Sequence, residues 1–214
     1  NVSPDKVILW IAHQDKELLP TSVTKLTLHG LEIGYTEDLR SYKKIIPTLG
    51  RYPNAYIVTA DDDVYYESTW LEELVNESKA TPHAAISHRV HTIVLGDDKL
   101  PLPYNDWIQN SHSSSLSGLT FQTGVGGVLY PPNIFHADVM KISLFKDICL
   151  HADDVWLYWM VRMAGGKIKG LENRFVVHNW KGSQNTALWK TNVLQNGNDA
   201  QILNMISHYG FNEL

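Results

Sequence analysis

Cysteine is almost absent from this 214-residue chain: Cys149 stands alone, so no internal disulfide can form and the core has to hold the fold. A reducing compartment would suit such a chain. No apolar stretch reaches the ~20 residues that cross a bilayer as a helix, and the first residues carry no signal-peptide pattern. Basic residues are also scarce: 18 Lys and Arg stand against 23 Asp and Glu, a net charge of -5, with no dense cationic run. Nucleic acid is therefore not an expected partner, because binders of a phosphate backbone carry a basic excess. What remains is an ordinary globular composition, 43% hydrophobic and 19% charged, with no linker or repeat to divide it. The two sequons, Asn1-Val2-Ser3 and Asn76-Glu77-Ser78, are short enough to arise by chance.

Strand-like and helix-like segments alternate over the first half, the pattern of an α/β sheet layered with helices. VILWIA (Val7–Ala12) and LEIGYT (Leu31–Thr36) read as strands around a mixed helix at 16–29. A helix at 39–49, a strand at 55–60, a helix at 69–79 and a strand at 84–90 follow. Residues 97–110, rich in Pro, Asp and aromatics, and the small polar run at 111–118 have the composition of a mobile loop of the kind that forms lids. A helix at 154–163, a strand FVVH ending at His178 and a final helix at 199–209 complete the expectation.

The most informative feature is the triplet Asp61, Asp62 and Asp63 at the end of the β-branched, aromatic run AYIVTA. The C-terminal edge of such a strand is where an open α/β sheet binds ligands. If the extended backbone continues, Asp61 and Asp63 project to one side and Asp62 to the other. Two hard oxygen donors suit Mg2+ or Mn2+, with water and substrate phosphates filling the other positions. The alternative is that the triplet caps the next helix or makes a turn. Crowding three like charges favours a cation.

Asp153 and Asp154 open the helix DDVWLYWMVRM, where capping explains either one singly and a general base for an attacking hydroxyl explains the pair. His178 at a strand end is the histidine best placed to complete a metal site begun by Asp63, although a lone histidine is more often structural. TGVGGVLYPP matches neither a dinucleotide fingerprint nor a P-loop; its glycines allow close approach of a ligand or relieve a crowded strand. DLRSYKK, from Asp38 to Lys44, offers cations to a diphosphate or is a solvated helix face. Trp10, Trp70, Trp156 and Trp159 read as core, and Trp107 and Trp180 as ligand contacts.

Taken in order, PDKVILWIA, DLRSYKKIIPTL, VTADDDVYYESTWLEEL, TGVGGVLYPP and HADDVWLYWM resemble nucleotide-sugar-dependent glycosyltransferases of the GT-A fold, especially bacterial polysaccharide enzymes and their exostosin-like relatives. The resemblance spans residues 4 to about 178. It implies an α/β class, a GT-A-like (Rossmann-like) mixed sheet sandwiched by helices in one domain. Residues 1–90 would form the nucleotide-sugar-binding half and 91–214 the acceptor-binding half. It implies a UDP-sugar donor bound through Mn2+ or Mg2+. Asp61 would contact the ribose, with Asp62 beside it; Asp63 and Asp61 would hold the metal, joined by His178. Lys44, Arg89 and Asp38 would approach the donor, and Asp154 or Asp153 the acceptor. Family members carry an earlier strand and helix before the segment matching PDKVILWIA, so the first strand–helix unit is expected to be missing and donor binding weakened or lost.

The resulting expectation is a glycosyltransferase acting on a saccharide or glycolipid acceptor in the cytoplasm, with peripheral association at the inner face of the membrane. A catalytically silent sugar- or nucleotide-binding protein of the same fold is the competing expectation, and a metal-dependent hydrolase a third.

Overall fold

The computed structural model describes residues 2–111, 116–172, 175–180 and 197–211. Its first strand, β1 (Val7–Ala12), runs parallel to β2 (Leu31–Thr36) over six paired positions, from Val7 opposite Leu31 to Ala12 opposite Thr36. Between them the expected helix is broken into two 3-10 turns, His13–Leu18 and Lys25–His29, around the short helix α1 (Thr21–Thr24). The crossover carries Thr21, Val23, Thr24 and Thr27, whose branched side chains lose rotamer freedom in a helix. It stops at Gly30, whose φ of 96° supplies the left-handed cap.

The helix expected at 39–49 is likewise split, into a 3-10 turn (Arg40–Lys44) and α2 (Ile46–Arg51). Pro47 is the cause: it is tolerated only in a first helical turn, so the helix restarts beside it. The interruption leaves Lys44 at the end of the 3-10 turn.

The central sheet has the order β3 (Ile57–Thr59), β8 (Val128–Tyr130), β5 (Ala84–Ser87), β9 (Lys167–Gly170). β8 is antiparallel to both neighbours and β5 is parallel to β9, so the sheet is mixed. Two small ladders flank it: β4 (Val64–Tyr65) with β10 (His178–Asn179), and β6 (Val90–Thr92) with β7 (Thr120–Gln122), both antiparallel. The strand expected at 84–90 is thus two strands with a bend at His88 and Arg89, where Ser87 Oγ donates to the Arg89 carbonyl at 2.9 Å.

Side-chain alternation explains the layers. Ala84 and Ile86 of β5 and Leu129 of β8 pack with Leu74 of helix α3 (Trp70–Ala80). Their neighbours Ala85, Val128 and Tyr130 face the larger cluster, built around α5 (Asp153–Met163) with α4 (Ile142–Ile148) and α6 (Gly197–Tyr209). The chain is therefore mixed α/β with helices on both faces of the sheet. α5 is buried on nearly every side, including Trp156 and Trp159, and only Asp154 and Met163 keep partial exposure.

Three expectations need correction. The stretch 97–110 is not an open loop: it forms a 3-10 turn (Tyr104–Asp106) and isolated bridges pairing Thr92 with Ile108 and Leu95 with Pro101. Its Trp107 is not a ligand contact, being 3% exposed, packed on Tyr104 and Phe121 at 4.8 and 5.2 Å, and bonded through Nε1 to the Leu102 carbonyl. FVVH is not a strand through His178; pairing begins at His178 because the partner β4 is only two residues long. In the run 111–118, residues 112–115 lie outside the described residues, as does Asn1 of the first sequon.

Candidate functional site

β1 pairs only with β2, and β3 only with β8, so each has one edge that no described strand covers. Both edges open on one cleft of about 1570 Å³, lined by consecutive residues 7–10 and 55–58. A cavity over a sheet face would touch alternate residues; consecutive lining marks a strand edge. This arm is apolar. The other end has a charged floor, formed by Asp61, Asp62, Asp63, Lys44, Arg89, Asp153 and Asp154.

The triplet does not continue β3. The chain turns at Asp62 and Asp63 before β4, so the expected alternation of side chains along a strand gives way to a turn. The helix-cap alternative fails as well, since α3 begins after Thr69. The turn is held at both ends: Asp61 N–H donates to the Tyr66 hydroxyl at 2.9 Å, and the Asp63 carbonyl accepts the Trp180 N–H at 2.9 Å.

Lys44 knits the floor together. Its ammonium lies 2.9 Å from Asp61 Oδ1 and 3.1 Å from Asp153 Oδ2. Burial pulls the Lys44 pKa down, but the carboxylates of Asp153, Asp61 and Asp154 outweigh it and hold the amine well above its usual value. Asp153 is 7% exposed, and its Oδ2 is buried without a properly formed hydrogen bond. Neither aspartate caps α5: the N-cap is Ala152, with no side-chain cap bond. Asp154 instead accepts the Gly124 N–H on both oxygens at 3.0 Å, and its carbonyl accepts from Gln122 Nε2 at 3.0 Å. Burial first, then the charge of Asp153, pushes the Asp154 carboxyl up to about 7, with Lys44 and the Gly124 N–H pulling against them.

The glycine run is explained by contacts within the protein. A Cβ on Gly124 would stand 2.8 Å from Lys44 Nζ and 2.9 Å from Asp154 Oδ1. On Gly126 it would meet Arg89 Cβ at 2.8 Å, and Gly127, at φ 85°, lies under the Trp70 ring. The bend after β5 brings Arg89 to the cleft, where Nε donates to Asn110 Oδ1 at 2.6 Å and Nη1 to Thr123 Oγ1 at 3.3 Å. Its hydrogen-bond partners are neutral, and burial lowers its pKa while leaving a cation. His91, beside it, is driven by burial and by the Arg89 charge down to about 4, so it is neutral at pH 7.

Two expected site residues are not brought to this floor. Asp38 caps the following turn, accepting the Arg40 N–H at 2.9 Å and pairing with Lys43 at 2.8 Å, and it does not line the cleft. His178 sits opposite Tyr65; its neighbours Val177 and Asn179 line the cleft and it does not. Trp180 is 57% exposed and packs edge-on against Tyr65. Among the described residues, no group of three His, Cys, Asp or Glu side chains is arranged to hold a metal.

The donor set still suits one kind of ion. Asp63 is raised above the usual carboxylate range by burial and then by the charges of Asp61 and Asp62. Mg2+ or Mn2+ needs only one or two of these when phosphate oxygens complete its shell. A closed protein cage for zinc is not formed by these residues.

Sequence reasoning missed Tyr66 and Gln122, which hold the backbones of Asp61 and Asp154. It also missed His151 and Asn198, which line the cleft. Tyr66 follows Asp61 by five residues, but no spacing rule says that its hydroxyl returns to the turn. No helix among the described residues is long and apolar enough to cross a membrane. No protein-family model matches the chain and no curated protein is significantly similar to it, so the functional reading rests on the chemistry of the cleft.

Proposed function

We propose that the cleft binds a nucleoside diphosphate sugar, with UDP as the expected nucleotide, and transfers the sugar to a hydroxyl of a saccharide or glycolipid acceptor, on a GT-A-like fold. The observation that carries this reading is the convergence of Asp61 to Asp63, Lys44, Arg89 and the Asp153/Asp154 pair, from four separate stretches of sequence, on one floor. Size adds support: about 1570 Å³ exceeds the ~300–1,000 Å³ that one small ligand fills, leaving room for a donor and an acceptor together.

Asp61 and Asp63 would hold Mn2+ or Mg2+, which when bound neutralises charge on a leaving diphosphate. Lys44 and Arg89 bring positive charge to the same end of the cleft, where a diphosphate needs it. Asp154, with a pKa near neutrality, is matched to accept the proton of an attacking hydroxyl in an inverting reaction. Asp153 Oδ2, ion-paired with Lys44 but without a hydrogen bond, offers a second acceptor for that hydroxyl. In a retaining reaction the two carboxylates orient the acceptor.

The test is calorimetry with UDP and UDP-sugars, with and without MnCl2, followed by assay of UDP release in the presence of saccharide acceptors. Mn2+-dependent binding that is lost in Asp63→Ala, and UDP release that is lost in Asp154→Asn, are the expected results. UDP affinity indifferent to Asp63→Ala removes the reading. One observation favours a silent binding protein instead: Arg89 is a cation whose hydrogen-bond partners at the cleft are neutral, so an anion could be held without a metal. Binding with no turnover on any acceptor decides for it.

A further inference from the structure

Tyr66 belongs to neither the acidic turn nor the glycine loop, yet its hydroxyl touches both. It accepts the Asp61 N–H at 2.9 Å and donates to the Val125 carbonyl at 3.1 Å. Only a protonated phenol can do both, and burial holds Tyr66 protonated far above neutral pH.

The ring is fixed as firmly as the hydroxyl. It packs on Trp70 at 4.4 Å and on Phe175 at 5.9 Å. Trp70, four residues on, donates through Nε1 to the Gly126 carbonyl at 2.7 Å, and its indole fills the space a Cβ on Gly127 would need. The phenol therefore cannot swing away without disturbing the same loop it bonds.

These contacts close a circuit around the charged floor. Tyr66 binds Asp61, Asp61 pairs with Lys44, and Lys44 pairs with Asp153 at the head of α5. Asp154, next in α5, holds Gly124, and Gly124 is bonded covalently to Val125, whose carbonyl returns to Tyr66. Tyr66 does not line the cleft, so it acts on a ligand only through the groups it holds.

We propose that Tyr66 is a positioning residue that sets the separation between the acidic turn and the α5 carboxylates, and so the geometry in which the cleft grips a diphosphate. The consequence for ligand affinity rests on the nucleotide-binding reading above; the mechanical coupling of the two loops does not.

Tyr66→Phe keeps the ring and removes both hydrogen bonds, so it separates the strut from the packing. Two readouts are needed. The first is amide hydrogen exchange: Asp61 and, across the circuit, Gly124 exchange at least about tenfold faster in the variant, while amides of α6 are unchanged. The second is UDP affinity in MnCl2, expected to fall about 10–100-fold, the range for residues that orient metal or phosphate ligands. Trp70→Phe, which loses the indole bond to Gly126, shifts both readouts in the same direction by less and serves if Tyr66→Phe folds poorly. Faster exchange at Asp61 with Gly124 unchanged overturns the proposal, as does a UDP affinity within twofold of the wild type. If the wild-type chain binds no UDP, the nucleotide reading falls, and the Gly124 exchange rate alone then decides whether Tyr66 couples the loops.

Discussion

The backbone N–H of Gly124 lies 3.0 Å from each carboxylate oxygen of Asp154. That contact fixes the head of α5 to the glycine loop, and it requires glycine for a steric reason, because a Cβ would come within 2.9 Å of Asp154 Oδ1 and 2.8 Å of Lys44 Nζ. Gly124→Ala is therefore expected to push Asp154 and Lys44 apart. Overpacking of this kind costs about 1–3 kcal/mol. Ligand binding should suffer together with the fold: on the proposed nucleotide reading UDP affinity drops, and the urea midpoint falls. Equal affinities for the variant and the wild type would show that the loop merely packs there.

Asp154 gives the molecule a pH signature of definite sign. Burial and the charge of Asp153 push its carboxyl up to about 7 in the folded chain, against about 3.9 unfolded. Between those values the native state binds more protons than the unfolded state, so this group's contribution to stability is fully present below about pH 4 and is lost as the pH rises through 7. On the proposed transferase reading, activity has the opposite requirement, since a base must be deprotonated, and should fall about tenfold per pH unit below 7. In Asp154→Asn the fall in urea midpoint between pH 5 and pH 8 should shrink. An unaltered pH profile would assign the titration to another group.

Lys44 offers a second electrostatic test. Removing one partner of a fully buried pair costs about 3–5 kcal/mol, and less is expected here because the Lys44 side chain keeps 20% exposure. Lys44→Met should be strongly destabilised at pH 7, through repulsion among Asp61, Asp153 and Asp154. Adding Asp153→Asn should restore part of the loss, since the two sites share one contact. Strictly additive losses in the double variant would deny the coupling.

The sequence revealed what local chemistry decides. β1 and β2 were legible to the residue because VILWIA and LEIGYT are apolar, β-rich and bounded by turn residues. The helices at α3, α5 and α6 were legible within two residues from their periodicity. Breaks were harder to see. The split before Pro47 and the bend at His88 and Arg89 depend on tertiary partners, and they are what aim Lys44 and Arg89 into the cleft. Trp107 was misjudged because a Pro-rich stretch reads as open loop, whereas Tyr104 and Phe121 bury it. Asp38 was misjudged because a short acidic turn beside lysines looks the same whether it serves a ligand or closes on its own backbone.

β1 and β2 form a two-stranded unit in which Ala12 and Gly34 are the only buried positions, whereas α5 is buried along nearly its whole length. An isolated pair of strands is marginal in water, so this unit must borrow stability from its attachment. Part of that attachment is the Trp10 Nε1 bond to Thr48 Oγ1 at 2.8 Å, made by the same indole that lies against Gly34. Native-state hydrogen exchange should therefore find the amides of β1 opening well below the global unfolding free energy, and those of α5 only with it. Thr48→Val removes the acceptor at nearly constant shape and should lower the opening free energy of β1 and β2 by about 1 kcal/mol. The α5 amides should not respond. Equal protection of β1 and α5 in the wild type would mean that the sheet edge facing the cleft is as firmly held as the core, and the cleft would then be a rigid slot along its whole length.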